Sequence, residues 1–205
     1  KRATKKLLKK IEYLKPDIIH LHNLHGYYIN IEILFNYLSF HKIPIVWTMH
    51  DCWSFTGHCS HFEFVECRKW KKACYSCPQS SSYPSSLIVD NSKENFIKKK
   101  KLFNSLNNMT IVPVSDWLDN QLRYSFLNDY DSRVIQNGID LQIFKPSKSQ
   151  IFIEDNNLQN KYIILGVASV WTERKGFFEF IKLRELLGDE FAIVLVGVSL
   201  KLKKM

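Results

Sequence analysis

The chain has 205 residues, 45% of them hydrophobic and 14% aromatic, enough for one large domain or parts of two with a real core. Its 29 Lys and Arg against 20 Asp and Glu leave a formal net charge of +9; this suits nucleotide phosphates, nucleic acid or an anionic membrane surface, and equally describes a solvated lysine face. No run of about 18 apolar residues occurs, so no membrane-spanning helix is expected, and the opening KRATKKLLKKIEYLKP has no apolar signal core, which argues against secretion from this start.

Residues 5–14 read as a basic amphipathic helix that stops before Pro16, an ordinary surface helix or one touching a membrane. DIIHL (17–21) is a short apolar strand. Ile31, Leu34, Phe35 and Leu38 recur at helical spacing within 29–40. IPIVWTM (43–49) is a second buried strand. Residues 92–105 read as a helix, with Phe96, Lys99, Lys100 and Phe103 giving one apolar and one basic face. TIVPVS (110–115) is a third strand, and Ser115 caps a helix to about Phe126. RVIQNG (133–138) is a fourth strand ending in a Gly turn. YIILGVAS (162–169) and FAIVLVG (191–197) flank a helix at 176–187.

Apolar strands alternating with helices predict an α/β fold with a parallel sheet covered on both faces. The polar stretch 146–160 predicts a linker, which separates a domain at 1–145 from the start of another at 161–205. The first unit opens on a helix rather than on a strand with a Gly-rich loop, so the pattern is expected to be cut at both ends.

Four constellations carry chemistry. His50 and Asp51 end the second strand, while His20 and His22 end the first; in parallel α/β sheets the carboxyl ends of strands are where ligands bind. A Cys-rich insertion (52–79) follows at once, with Cys52, Cys59, Cys67, Cys74 and Cys77. Cys74-x-x-Cys77 is a metal-knuckle spacing that Cys59 and Cys67 could complete as a structural zinc site, with His58 and His61 as spare ligands. Disulfides and free buried thiols are the alternatives; the odd count favours a reducing compartment. Arg174 and Lys175 precede Gly176 at a helix start, where cations, free N–H groups and the helix dipole suit a phosphate; a solvated loop reads the same by spacing alone. Asn137-Gly138, with Asp140 beyond, is a turn signal.

PDIIHLHNLHG (16–26), IVWTMHDCWSFTGHC (45–59), VECRKWKKACYSCPQ (65–79), VPVSDWL (112–118), VIQNGIDLQIFKP (134–146) and VASVWTERKG (167–176) together resemble the retaining GT-B glycosyltransferases of family 4, in the capsular and exopolysaccharide group. The resemblance implies most of an N-terminal Rossmann-like acceptor domain plus the first β-α-β of the C-terminal donor domain. It implies transfer of a hexose from a UDP- or GDP-sugar to a glycan or lipid-linked acceptor, with retention and no catalytic metal. His50 and Asp51 would be catalytic, and Arg174, Lys175 and Gly176 would hold the donor diphosphate. His22, Trp53, Thr56, Gly57, Ser115, Trp117, Asn137, Gly138 and Asp140 would line the acceptor side and the cleft. The family's Gly-rich loop and paired glutamates fall outside the sequence; Glu179 and Glu185 are not that pair. A cytoplasmic protein, peripheral on the inner face of the membrane, is implied. A zinc-stabilised binding module, for which Trp53, Phe62, Phe64 and Trp70 would offer aromatic surfaces to nucleic acid, and a non-catalytic remnant are the alternatives.

Overall fold

The computed structural model describes residues 1–86, 89–147 and 150–204. The chain divides into two compact units, Lys1–Gly138 and Ile139–Met205, so the division falls ahead of the limit at 145 expected from the sequence. None of the described helices is long and apolar enough to cross a membrane.

In the first unit, α1 (Arg2–Leu14) ends where Lys15 turns left-handed at φ 46° and returns its N–H to Ile11 O, just before Pro16. Strand β1 (Ile19–Leu21) follows, then α2 (Ile31–His41), whose Asn30 side chain accepts from Ile33 N and which buries Leu34, Phe35 and Leu38. Strand β2 (Ile45–Met49) lies between β1 and β3 (Met109–Pro113), and both pairings are parallel. Four of the five β2 residues are buried, as expected for a central parallel strand covered on both faces. Helix α3 (Ser92–Phe103) packs Phe103 against Phe35 and Trp47, with ring centroids 4.5 and 4.9 Å apart. These three rings form the centre of the core.

Ser115 caps α4 (Asp116–Leu122) as expected, its hydroxyl accepting from Leu118 N. The helix stops short of Phe126. Ser125 Oγ donates to Leu122 O and accepts from Leu127 N, replacing helical bonds with turn bonds.

The expected strand at 133–138 does not form. Ile111 N donates to Asp131 O, Arg133 N to Ile111 O and Ile135 N to Pro113 O, the start of a parallel ladder along β3. The rung between the last two would run from Pro113 N to Arg133 O, and Pro113 has no N–H, so only an isolated bridge at Ser132 remains. Buried Asp119 fixes this segment by accepting from Ser132 Oγ at 2.6 Å while Arg123 holds its other oxygen.

In the second unit, α5 (Gln150–Asp155) occupies part of the stretch read as a linker. Strands β4 (Tyr162–Val167) and β5 (Phe191–Val196) pair in parallel around α6 (Phe177–Leu186). The buried core is Ala168, Trp171 and Phe177. Leu165 and Val167 are exposed, so the expectation of coverage on both faces fails in this unit. Two strands and one helix supply cover for one face only.

Phe103→Ala is expected to cost the first unit about 3–5 kcal/mol through the cavity left between Phe35 and Trp47. Denaturant unfolding measures it; a loss under 1 kcal/mol, on the order of a surface substitution, would show that these rings are not the core.

Candidate functional site

Parallel pairing of β1 and β2 sets their carboxyl ends side by side, with Leu21 in register with Trp47. The histidines that follow each strand therefore meet. His22 Nδ1 lies 3.2 Å from His50 Nε2, so one ring nitrogen donates and the other accepts. His20 Nε2 bonds Thr48 Oγ1 at 2.7 Å; burial and then the neighbouring His22 hold His20 below the usual imidazole range. The Trp47 indole N–H donates to His22 O, tying the loop to the core.

Asp51 has both oxygens engaged. Oδ1 accepts from Trp53 N at 2.9 Å, and Oδ2 sits 2.8 Å from His25 Nε2. His25 Nδ1 is 3.3 Å from the Tyr83 hydroxyl. An Asp-His-Tyr chain thus stands beside the His22–His50 pair. His22 and His50 are both exposed, open to a ligand, and the surface at this point is shallow, with a cavity of only about 10 Å³.

The insertion builds its own small core: Phe55, Phe62 and Trp70 are buried with ring centroids 5.1 and 4.6 Å apart along the series Phe55–Trp70–Phe62. Phe62 and Trp70 are therefore core residues rather than a platform for bases. The loop's main anchor is Lys99 from α3. Its Nζ donates to Trp53 O at 2.7 Å and Thr56 O at 2.9 Å, and sits 3.5 Å from the Trp53 ring centroid. Lys99 is 3% exposed, and burial pushes its pKa down to about 7.

Two residues expected on the acceptor side also have structural places. Thr56 is fully buried and donates to Cys59 O at 2.6 Å, so it lies inside the loop. A Cβ on Gly57 would meet Ser92 O at 2.0 Å and the Cys74 Cβ at 2.7 Å; this glycine exists for loop-to-helix contact, although it also borders a cavity. Trp53 does line the strand-end site. Ser115 is occupied as a cap, and Trp117, half-exposed, packs its ring 6.2 Å from Phe62. Asn137 and Gly138 are exposed at the end of the first unit, and Asp140 folds a turn at the start of the second by accepting from Gln142 N.

Cys59, Cys67, Cys74 and Cys77 line one small cavity, and all five cysteines are free thiols. Gly57 N donates to Cys74 Sγ at 3.1 Å, and burial pushes the Cys74 thiol up to about 11. A mutual hydrogen bond raises Cys59 and lowers Cys77. Among the described residues no group of three or more His, Cys, Asp or Glu is arranged to hold a metal ion. The thiols as placed do not form a tetrahedral set.

In the second unit, Arg174 and Lys175 occupy a 3₁₀ turn (Glu173–Lys175) directly ahead of α6, exposed and without side-chain partners among the described residues. Trp171 holds this loop, donating its indole N–H to Val196 O at 2.9 Å and lying over Gly166, where a Cβ would meet the ring at 2.8 Å. Gly176 has φ +75°, which an L side chain rarely adopts. A Cβ there would lie 3.7 Å from a Glu179 carboxylate oxygen, so an acid stands beside these cations.

Sequence reasoning missed His25, Tyr83 and Lys99. The spacing of Lys99, three after Phe96 and four before Phe103, put it on the apolar face all along. His25 sits within the same histidine run as His20 and His22, and nothing in the sequence pointed to Tyr83.

Residues 1–143 match the family Glycosyltransferase Family 4. Over 134 residues the chain is 30% identical to the Escherichia coli (strain K12) protein named "Putative colanic acid biosynthesis glycosyl transferase WcaC", a match covering 62% of this chain and 32% of that protein. The chain thus spans about a third of that relative's length.

Lys99 makes stability depend on pH. Between its folded value of about 7 and the ordinary 10.5, the unfolded chain holds a proton that the folded chain has released, so folding strengthens as pH rises through that window; below it the full cost of burying the charge is present. Lys99→Met lacks this dependence. Urea unfolding at pH 7 and pH 9.5 is expected to show wild type gaining on Lys99→Met at the higher pH, and a constant difference would mean that Lys99 titrates normally.

Proposed function

The chain belongs to glycosyltransferase family 4, and from that premise we propose that its protein transfers a hexosyl group from a UDP- or GDP-sugar to a glycan or lipid-linked acceptor in surface polysaccharide biosynthesis, with retention of configuration. The observation that carries this reading is the meeting of His22 and His50 beyond the carboxyl ends of two parallel strands, with Asp51 fixed beside them. In the proposed step the bond from the anomeric carbon to the donor diphosphate breaks. A bond from that carbon to the acceptor oxygen forms on the same face. The acceptor proton passes to the departing diphosphate. Arg174 and Lys175, unpaired and ahead of a helix start, supply cations for the charge that develops on that diphosphate. His50 contacts the transferred sugar, and Asp51, through His25 and the Trp53 N–H, keeps the loop in shape. The chemistry needs no metal. The site of action is the cytoplasm, at the inner face of the membrane, where the basic surface favours an anionic bilayer.

A structural zinc in the insertion is part of the same proposal. Its supports are the C-x-x-C spacing and the four thiols around one cavity; binding would draw together thiols that are now apart. Metal analysis of the purified protein is expected to find about one zinc per chain, lost in Cys74→Ser; zinc-free wild type rejects the site.

In a protein with both domains complete, Arg174→Ala is expected to lower donor-dependent kcat/KM about a hundredfold, and NMR of the product is expected to show the donor's anomeric configuration. Unchanged kinetics would remove the diphosphate role, and an inverted product would remove the mechanism.

A further inference from the structure

Next to the strand-end histidines the first unit has a second, larger cavity of about 300 Å³. Trp53 and His25 belong to the walls of both, so the two are neighbours on either side of those side chains. Among the described residues no Asp or Glu lines the larger cavity, whereas Lys98 and Lys99 both do. Lys98 pairs with Glu32 at 2.5 Å. Lys99 has two carbonyls and an indole face for partners, and no carboxylate pairs with it among the described residues. A desolvated ammonium in that state gains from an anion placed beside it, because attraction strengthens where water is excluded.

Two further features point to a ligand. His58 lines this cavity and the cysteine cavity, is 8% exposed, and its Nε2 has no hydrogen-bond partner among the described residues; a buried polar atom left unmet is a place where a bound group is expected. Tyr27 and Trp53 offer aromatic faces, and Asn91 and Asn95 offer amides, which match the dry C–H face and the hydroxyl edge of a sugar ring. Asp90, close by in sequence, has its carboxylate taken up by Cys77 N and Ser92 N and is not in the wall.

We propose that this cavity is a subsite for an anionic group, carboxylate or phosphate, carried by the sugar acceptor. The word acceptor rests on the glycosyltransferase reading; the anion site itself does not. Its volume has room for one sugar residue. The occupant's neighbouring residue would then reach past Trp53 and His25 toward His50, so the subsite selects acidic acceptors and sets which hydroxyl is presented.

The test is titration of the 205-residue chain, without donor, using methyl β-D-glucuronide, methyl β-D-glucoside and inorganic phosphate, followed by tryptophan fluorescence and NMR. The glucuronide is expected to bind at least about tenfold tighter than the glucoside. Lys99→Met is expected to abolish the preference. Lys98→Gln and Asn95→Ala, on the rim, are expected to weaken it about threefold or more with unfolding midpoints unchanged, which keeps the test valid where Lys99→Met is poorly folded. Phosphate that displaces the glucuronide at equal concentration assigns the anion to a phosphate on the acceptor; phosphate that fails to displace it assigns a carboxylate. Equal affinity for glucuronide and glucoside, or no binding of either anion by the folded wild type, overturns the proposal. Anion binding in a two-domain protein that transfers no sugar would remove the transferase reading and leave the subsite standing. Transfer to neutral and acidic acceptors alike would do the reverse.

Discussion

A buried ammonium that touches no carboxylate fixes the geometry of the first unit. Lys99 Nζ reaches from α3 to the carbonyls of Trp53 and Thr56 and lies under the Trp53 ring. Those carbonyls belong to the turn that leaves β2, directly after His50 and Asp51. The same Trp53 returns its N–H to Asp51 Oδ1, and Asp51 holds His25. One cation thereby links the core helix, the Cys-rich insertion and the histidine cluster. Burying a charge on neutral partners is costly, and burial accordingly lowers the pKa of Lys99. A charge in so dry a place gives the neighbouring strand end a strong local field.

The insertion adds to this arrangement through packing. Gly57 lies so close to Ser92 O and Cys74 that any side chain would force the loop off α3. Phe55, Phe62 and Trp70 fill the loop's interior. Thr56 bonds Cys59 O inside it. The insertion is therefore a folded loop after β2, shaped by its own aromatic core, and Cys59, Cys67, Cys74 and Cys77 sit around a cavity they share with Trp70.

What was legible in the sequence follows from which signals are local. Strands β1, β2 and β3 and helices α2 and α3 came from apolar periodicity, and the Ser115 cap from one hydroxyl at a helix start. The place of His50 and Asp51 at the strand end was legible because a polar pair follows directly on an apolar run. The strand at 133–138 was not, because the obstacle lies on its neighbour: Pro113 lacks the N–H that the ladder needs. Thr56 looked like a lining residue because its motif is polar, yet burial is decided by how the insertion folds back. Lys99 was read as part of a basic face because charge outweighed position; its spacing from Phe96 and Phe103 carried the truer signal. Tyr83 reaches His25 across 58 residues, a contact that no local pattern encodes.

The two units place their charged groups by different means. In the first, three parallel strands and a dense aromatic core hold the strand ends rigidly, so the histidines inherit their positions from the sheet. The second has two strands with exposed apolar side chains and a three-residue core, too little to position a loop by burial alone. Trp171 takes over that task. Its indole N–H binds the last residue of β5, and its ring lies on β4 where Gly166 leaves room. The 3₁₀ turn with Arg174 and Lys175 begins two residues later. Gly176 then reverses the backbone into α6 at a φ that other residues resist. The orientation of both cations therefore depends on one tryptophan and two glycines rather than on the sheet, and loss of the ring at Trp171 would disorder the cations while leaving their charges intact.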